Sequence, residues 1–230
     1  MESKSLLLNG ISWSIFRMGE RTWLLRPQIE EGVLEYIHKT TLLLEDSGVE
    51  ELIDIIPAYD SLTVIFNSSD IDLKKKFSTL NTTVQGVKLQ LLIHEVKVCY
   101  EVGLDWLEME QKTRLTKEEI ISIHSSKEYT IAMTGFLPGF IFLDGLDERI
   151  AASRKKTPRT SVPKGSVGIG GNQTGIYSLE SPGGWQIIGK TPQSFFSVDE
   201  NPPMQLKAGD KVKFIPVSKS EFVEMEKNNG

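Results

Sequence analysis

The chain has 230 residues, 26 Lys+Arg against 31 Asp+Glu and a net charge of −5, with 39% hydrophobic and 25% charged residues. That balance is ordinary for a folded globular protein and gives no electrostatic reason to expect nucleic-acid binding. The longest apolar runs, such as Leu6-Leu7-Leu8, are too short to span a bilayer, the single Cys99 excludes a disulfide framework, and no export signal follows Met1, so a cytoplasmic protein is expected.

Ile11, Trp13 and Ile15 alternate with Ser12 and Ser14, which predicts a half-buried strand. Met18-Gly19-Glu20 turns it into a second strand, Arg21 to Leu25. Pro27 suits the first turn of a helix, and Leu34, Ile37, Thr41 and Leu44 follow at helical spacing along one face. Strands are predicted around Leu52 to Ile56 and over Leu62, Val64 and Phe66. Asp70 or Asp72 would cap a helix whose stripe is Leu73, Phe77 and Leu80. Val87, Leu89, Leu91 and Ile93 then alternate, and the phase flips to Val96 and Val98, moving the apolar set to the other face. That slip near His94 sets the expected border: an α+β domain of ferredoxin-like type over residues 1–94, and a second domain over 95–230.

Asp105-Trp106-Leu107-Glu108 and Thr116-Lys117-Glu118-Glu119 both carry the capping-box pattern, so two short helices lead the second domain. Eleven of the 19 glycines lie between Gly135 and Gly189, and eight of the 10 prolines between Pro138 and Pro216. Punctuation that dense predicts short strands and tight turns, here Tyr129–Met133, Ser166–Ile169, Gly175–Ser178, Trp185–Gly189 and Lys211–Ile215. A mainly-β barrel is expected.

Chemistry-bearing residues concentrate in the same region. Between Arg149 and Leu179 there are six cations and no acid, so this stretch carries +6 against −11 elsewhere (−5 − 6 = −11). Lys155 and Lys156 read as solvated loop residues, whereas Arg159, between Pro158 and Val162-Pro163, is placed to grip a carboxylate or phosphate. The tract Gly165 to Gly175 has phosphate-loop glycine spacing at Gly170 and Gly175, but Ile176-Tyr177 stands where Lys-Ser/Thr is required, so it is not a Walker A loop. Its backbone N–H groups and the side chains of Asn172, Gln173 and Thr174 could hold a small polar ligand, or the tract could simply turn a corner. Phe136, Pro138, Gly139 and Phe140 form either a stiff turn or a hydrophobic wall, with the turn favoured. Ser181-Pro182-Gly183-Gly184-Trp185 is a tight loop or a ligand rim. His38 and His94 read as structural or surface, Cys99 as core. His124 is more simply a packing residue, but it is the pH-competent group nearest the glycine tract. The three histidines have no metal-like spacing.

Gly135-Phe136-Leu137-Pro138-Gly139-Phe140, Thr157-Pro158-Arg159, Val162-Pro163-Lys164-Gly165-Ser166-Val167, Gln173-Thr174-Gly175-Ile176-Tyr177 and Ser181-Pro182-Gly183-Gly184-Trp185 follow in one order at tight spacing. Together they resemble the family of the 5-oxoprolinase B subunit, which includes the kinase inhibitor KipI and allophanate hydrolase subunit 1, and whose module forms part of the carboxyltransferase domain of urea carboxylase. The resemblance implies an α+β domain followed by a cyclophilin-like barrel. It also implies partnership with the 5-oxoprolinase A subunit and with a KipA-type C subunit, and ATP-dependent opening of the 5-oxoproline ring to glutamate by the assembled complex. This chain departs from the pattern at Ile141-Phe142, at Ser178 and at Gly103-Leu104-Asp105.

On that reading Arg159 grips an anion, the Gly170, Gly171, Asn172 and Thr174 tract donates to an oxyanion, Gln173 orients an amide, and His124 is a candidate acid, base or orienter. Phe136, Phe140 and Trp185 are the apolar walls, with Pro138, Gly139, Tyr177, Ser181, Pro182, Gly183 and Gly184 completing the pocket. No metal is expected. The alternatives are a KipI-like inhibitor, gripping a helical partner through exposed Phe136, Phe140 and Trp185, and a component of allophanate hydrolase or urea carboxylase type.

Overall fold

The apolar alternations between Leu6 and Phe66 become one sheet covered by helix. The computed structural model, which describes residues 4–8, 10–77 and 91–228, divides into two compact units, Met1–Gln90 and Leu91–Gly230. The first comprises β1 (Lys4–Leu8), β2 (Ile11–Arg17), β3 (Thr22–Pro27), α1 (Val33–Glu45), β4 (Leu52–Pro57), β5 (Leu62–Phe66) and α2 (Leu73–Phe77). The sheet order is β1-β2-β3-β5-β4, and each of these pairings is antiparallel. Because β3 and β4 flank β5 on opposite sides, they run parallel to each other, with α1 as their crossover. Trp13, Leu25, Ile37, Leu44, Val64 and Phe66 are buried together beneath it.

One local expectation gives way here, and an open alternative is decided. Pro27 does not open a helix: it ends β3 opposite Trp13, and α1 starts at Val33 after Gly32, whose φ of 66° is left-handed. Asp72, not Asp70, caps α2, its Oδ1 accepting from the N–H groups of Lys74 (3.0 Å) and Lys75 (3.3 Å). Leu80, Val87 and Leu89 lie outside the described residues.

The second unit contains β6 (Ile93–Val98), α3 (Trp106–Thr113), α4 (Lys117–Ser126), β7 (Glu128–Thr134), β8 (Ile141–Asp144), β9 (Arg159–Val162), β10 (Ser166–Gly170), β11 (Gln173–Ile176), β12 (Ser181–Gly183), β13 (Gln186–Lys190), β14 (Lys211–Pro216) and α5 (Lys219–Asn228). His94 is within β6, so the border expected after it falls inside a strand, and the division lies earlier, at Gln90. Seven strands form a sheet in the order β13-β10-β11-β8-β7-β14-β6, in which β14 and β6 run parallel. This sheet curls until its two edges meet. Cys99, just past β6, donates its N–H to the carbonyl of Lys190 (2.9 Å) at the end of β13 and accepts from the Lys190 N–H (3.1 Å). A bridged edge leaves fewer free backbone groups for intermolecular pairing.

Inside the curl, Val98, Tyr129, Ile131, Val167, Ile169 and Phe214 make the main core. Each such buried aliphatic side chain contributes about 1.5–3 kcal/mol. Outside it, Phe140, Val162, Tyr177, Trp185 and Ile187 form a second, smaller cluster. Strand β10 is therefore buried on both faces, with Val167 and Ile169 inward and Gly168 and Gly170 outward under Trp185.

Candidate functional site

His124, the candidate acid or base, is fully buried on α4. Its Nδ1 lies 2.7 Å from the Tyr100 hydroxyl and its Nε2 2.9 Å from Thr174 Oγ1. Thr174 has one hydroxyl proton and donates it to the carbonyl of Gly168 (3.0 Å), so it must accept from Nε2–H of the histidine. Nδ1 then accepts from Tyr100. Burial pulls the imidazole pKa down to about 3, and Phe214 stacks on the ring at 4.5 Å. A neutral, fully partnered ring in the core argues for packing and against proton exchange near pH 7.

The glycine tract is also not what its spacing suggests. Gly170 and Gln173 pair across a tight hairpin with Gly171 and Asn172 at the tip, and Gly171 exchanges hydrogen bonds with Ala152 (N–H to O 2.8 Å, and 3.1 Å in return). Backbone groups expected to meet an oxyanion are instead spent on pairing. The glycines have a packing reason: a Cβ on Gly170 would stand 2.6 Å from the Trp185 ring, and one on Gly175 3.1 Å from Trp185 and 3.2 Å from Phe140. The tract is flat so that aromatic rings can lie against it.

Those rings are mostly covered. Phe140 is 1% and Trp185 4% exposed, against 70% for Phe136. The helix-gripping groove mouth expected from all three therefore reduces to Phe136. Trp185 contacts Phe140 (5.5 Å) and Phe142 (5.8 Å) edge-on, and the Arg154 guanidinium lies 5.5 Å from its ring. Tyr177 meets Phe140 at 4.8 Å, and Gly183 on β12 pairs with Arg159 on β9. Gln173, two positions from Gly175 on β11, shares the Trp185 face by strand alternation. The glycine tract and the Phe140 segment thus meet the Trp185 ring and are held there by ring packing. Ser178, a departure from the family pattern, donates to the carbonyl of Pro138 (2.5 Å) and ties two of these loops.

A polar cluster borders this region. Arg159 Nη2 donates to Asp105 Oδ1 (2.5 Å), and Lys155 Nζ bridges Asp105 Oδ1 (3.0 Å) and Glu108 Oε2 (2.5 Å). Asp105 Oδ2 accepts from the Ile187 N–H (2.6 Å), and Gln186 Nε2 donates to Glu108 Oε1 (2.9 Å) and to the Ser153 carbonyl (3.0 Å). Burial pushes the Asp105 carboxyl up, but Arg159, the Ile187 N–H and Lys155 together hold it below its usual value. Lys155, Lys112 and Gln186 bring Glu108 to about 2. Two atoms stay unmatched: Arg159 Nη1, a donor, and Gln186 Oε1, an acceptor, are both buried with no hydrogen-bond partner among the described residues. An open groove runs along α3, lined by Leu104, Asp105, Leu107, Glu108, Gln111 and Lys112, so it includes the two acids of this cluster.

Sequence reasoning singled out Arg159 but missed its partners. Asp105 and Glu108 read as a capping box, Lys155 as a solvated loop residue, and Gln186 as an ordinary strand position. The available signal was an acidic i, i+3 pair next to a chain whose later cations have no nearby acids.

A family model for the carboxyltransferase domain, subdomain C and D, matches residues 13–206. The chain belongs to that family. Among its relatives, the 5-oxoprolinase B subunit of Bacillus subtilis is 38% identical, the match covering 92% of this chain and 96% of that protein. Its counterpart in Haemophilus influenzae is 42% identical, covering 72% and 80%. The crystal structure of a conserved uncharacterized protein from Pyrococcus horikoshii is 37% identical with a TM-score of 0.55, covering 90% of this chain and 99% of that one. The carboxyltransferase subdomain match takes in Asp105, Glu108, Lys155, Arg159 and Gln186, so the polar cluster lies within the family region. Among the described residues no three His, Cys, Asp or Glu side chains are grouped to hold a metal ion, and no helix is long and apolar enough to cross a membrane.

Proposed function

We propose that this chain is the B subunit of an ATP-dependent 5-oxoprolinase that opens the lactam ring of 5-oxoproline to give glutamate. The observation that carries this reading is the nearly end-to-end likeness to the Bacillus subtilis 5-oxoprolinase B subunit. A lactam is a resonance-stabilised amide. Transfer of the terminal phosphoryl group of ATP to its oxygen, with release of ADP, lets one water add to the ring carbon. The C–N bond then breaks as the nitrogen takes up a proton, and a second water hydrolyses the resulting acyl phosphate to the carboxylate and free phosphate. The paired Gly170–Gln173 hairpin does not fit a phosphate cradle, so ATP is assigned to the companion A subunit and KipA-type C subunit, in a cytoplasmic assembly.

This chain's part is substrate positioning at the polar cluster. Arg159 Nη1 would donate to a carboxylate or lactam oxygen, and Gln186 Oε1 would accept from the lactam N–H, with Gln173 as a further amide partner. Asp105 and Glu108 hold Arg159 and Lys155 in place. The curled seven-stranded sheet supports a cyclophilin-like barrel, and the split β3-α1-β4 crossover supports a ferredoxin-like first unit.

The test is reconstitution. The purified chain alone should hydrolyse neither ATP nor 5-oxoproline, whereas the mixture with its A and C companions should show ATP hydrolysis that depends on 5-oxoproline. A complete mixture with no such dependence overturns the reading.

A further inference from the structure

The two orphaned atoms of the polar cluster are a donor and an acceptor, and their chemistry is fixed by the bonds around them. Gln186 is fully buried, and its Nε2 donates to Glu108 Oε1 (2.9 Å) and to the Ser153 carbonyl (3.0 Å). Both partners are acceptors, so both amide protons are spent and Oε1 is the free acceptor. Turning the amide over would set oxygen against oxygen. Arg159 Nη2 donates to Asp105 Oδ1 (2.5 Å), which leaves Nη1 as the free donor.

Both residues belong to one closed circuit of hydrogen bonds. Asp105 Oδ1 also accepts from Lys155 Nζ (3.0 Å), and Lys155 continues to Glu108 Oε2 (2.5 Å). Glu108 Oε1 accepts from Gln186, and the next N–H along the chain, that of Ile187, returns to Asp105 Oδ2 (2.6 Å). Arg159 thus hangs from the same carboxylate that holds the Gln186–Ile187 strand. Each side chain is anchored at its bonded end, and the open ends do not bond to each other. Asp105 and Glu108 also line the groove along α3, about 530 Å³ in volume, which gives a small ring an approach to the circuit.

A ligand that meets both atoms must accept at one point and donate at a neighbouring one. A carboxylate satisfies Arg159 but brings no N–H to Gln186 Oε1. An open-chain secondary amide is trans, so its C=O and N–H lie on opposite edges. A five-membered lactam is held cis by its ring and presents both on one edge.

We propose that Arg159 and Gln186 together read a cis-amide edge, the ring C=O accepting from Arg159 Nη1 and the ring N–H donating to Gln186 Oε1. The site then selects lactams and cyclic ureas over ring ketones and open-chain secondary amides. This rests on the 5-oxoprolinase reading above and adds what the site discriminates; it gives Arg159 the lactam oxygen and not the carboxylate. A site built to bond a substrate N–H rejects an analogue that lacks one, because its acceptor stays buried and unmet.

The experiment uses the chain assembled with its A and C companions and measures inhibition of 5-oxoproline-dependent ATP hydrolysis by two analogues. In one, a cyclic urea, the ring CH2 beside the carbonyl is replaced by N–H, so the cis-amide edge is kept. In the other, a cyclopentanone, the ring N–H is replaced by CH2, so only the acceptor remains. The ketone is expected to bind at least about tenfold more weakly than the urea. In Gln186→Met that gap should close, whereas a merely structural loss would weaken both analogues alike and keep it open. The wild-type comparison needs no variant and stands even if Gln186→Met fails to assemble. Ketone and urea binding within about tenfold of each other, in a complex that still hydrolyses ATP in response to 5-oxoproline, overturns the cis-amide assignment and leaves the 5-oxoprolinase reading in place. A gap unchanged in an active Gln186→Met complex overturns it too. A complete mixture without that response removes both.

Discussion

Two polar networks in the second unit differ in one respect: the inner one is complete and the outer one is not. Tyr100, His124, Thr174 and the Gly168 carbonyl pass hydrogen bonds along a line in which each imidazole nitrogen has a partner. Asp105, Lys155, Arg159, Glu108 and Gln186 are just as densely bonded, yet leave a guanidinium nitrogen and an amide oxygen buried without partners among the described residues. Unmet buried polar atoms are costly, about 1–3 kcal/mol each, so a fold keeps them where a ligand or a movement can meet them. The histidine was the natural suspect by residue type. Hydrogen-bond completeness points instead to the acids and cations outside.

The strongest way to break that contrast is Asp105→Ala. It would strip one nearly buried carboxylate from Arg159, Lys155 and the Ile187 N–H at once. Removing one partner of such a buried cluster is expected to cost about 4 kcal/mol, read as a lower urea midpoint at unchanged slope. Asp105→Asn should cost less, because the amide oxygen still accepts from Ile187. A loss below about 1 kcal/mol for the alanine variant would place the cluster among ordinary surface ion pairs.

What the sequence made legible, and what it hid, follows from the range of the interactions. The strands at Ile11–Arg17, Leu62–Phe66, Ser166–Gly170 and Lys211–Pro216, and the helix bearing Ile37, Thr41 and Leu44, are set by alternation within a few residues and appear where expected. Lys155 looked solvated because its partners are Asp105 and Glu108, 50 and 47 positions away. The glycines at 170 and 175 looked like a ligand loop because the ring they accommodate, Trp185, belongs to another loop. Pro27 looked like a helix start because its pairing with Trp13 on a neighbouring strand has no local signature.

The completeness of the inner network has a measurable pH signature. Unfolded, His124 binds a proton near its ordinary 6.5; folded, only near 3. Between those values the unfolded chain holds one more proton, so stability declines as pH falls, by about 1.4 kcal/mol per pH unit and about 2 kcal/mol by pH 5. Glu108, held at about 2 against an ordinary 4.5, adds a loss in the same direction at lower pH. Unfolding of wild type and His124→Gln, compared from pH 7 to 5, isolates the histidine. Parallel curves for the two proteins would mean the imidazole is not sealed.

The smallest expected effect separates two helix starts that share one sequence signature. At Thr116 the capping box forms in full. Thr116 Oγ1 accepts from the Glu119 N–H (3.3 Å), and Glu119 Oε2 accepts from the Thr116 N–H (2.8 Å), both exposed. At Asp105 the same spacing, with Glu108 at the third helical position, yields no cap bond, because both side chains are drawn to Lys155, Arg159 and Gln186. Thr116→Ala should therefore cost about 1 kcal/mol, the usual value of an N-cap, and leave the reconstituted activity unchanged. Asp105→Ala should cost several times more and remove activity. Equal stability losses at the two positions would mean that Asp105 acts as a cap after all, and that its ion pairs contribute nothing to holding Arg159.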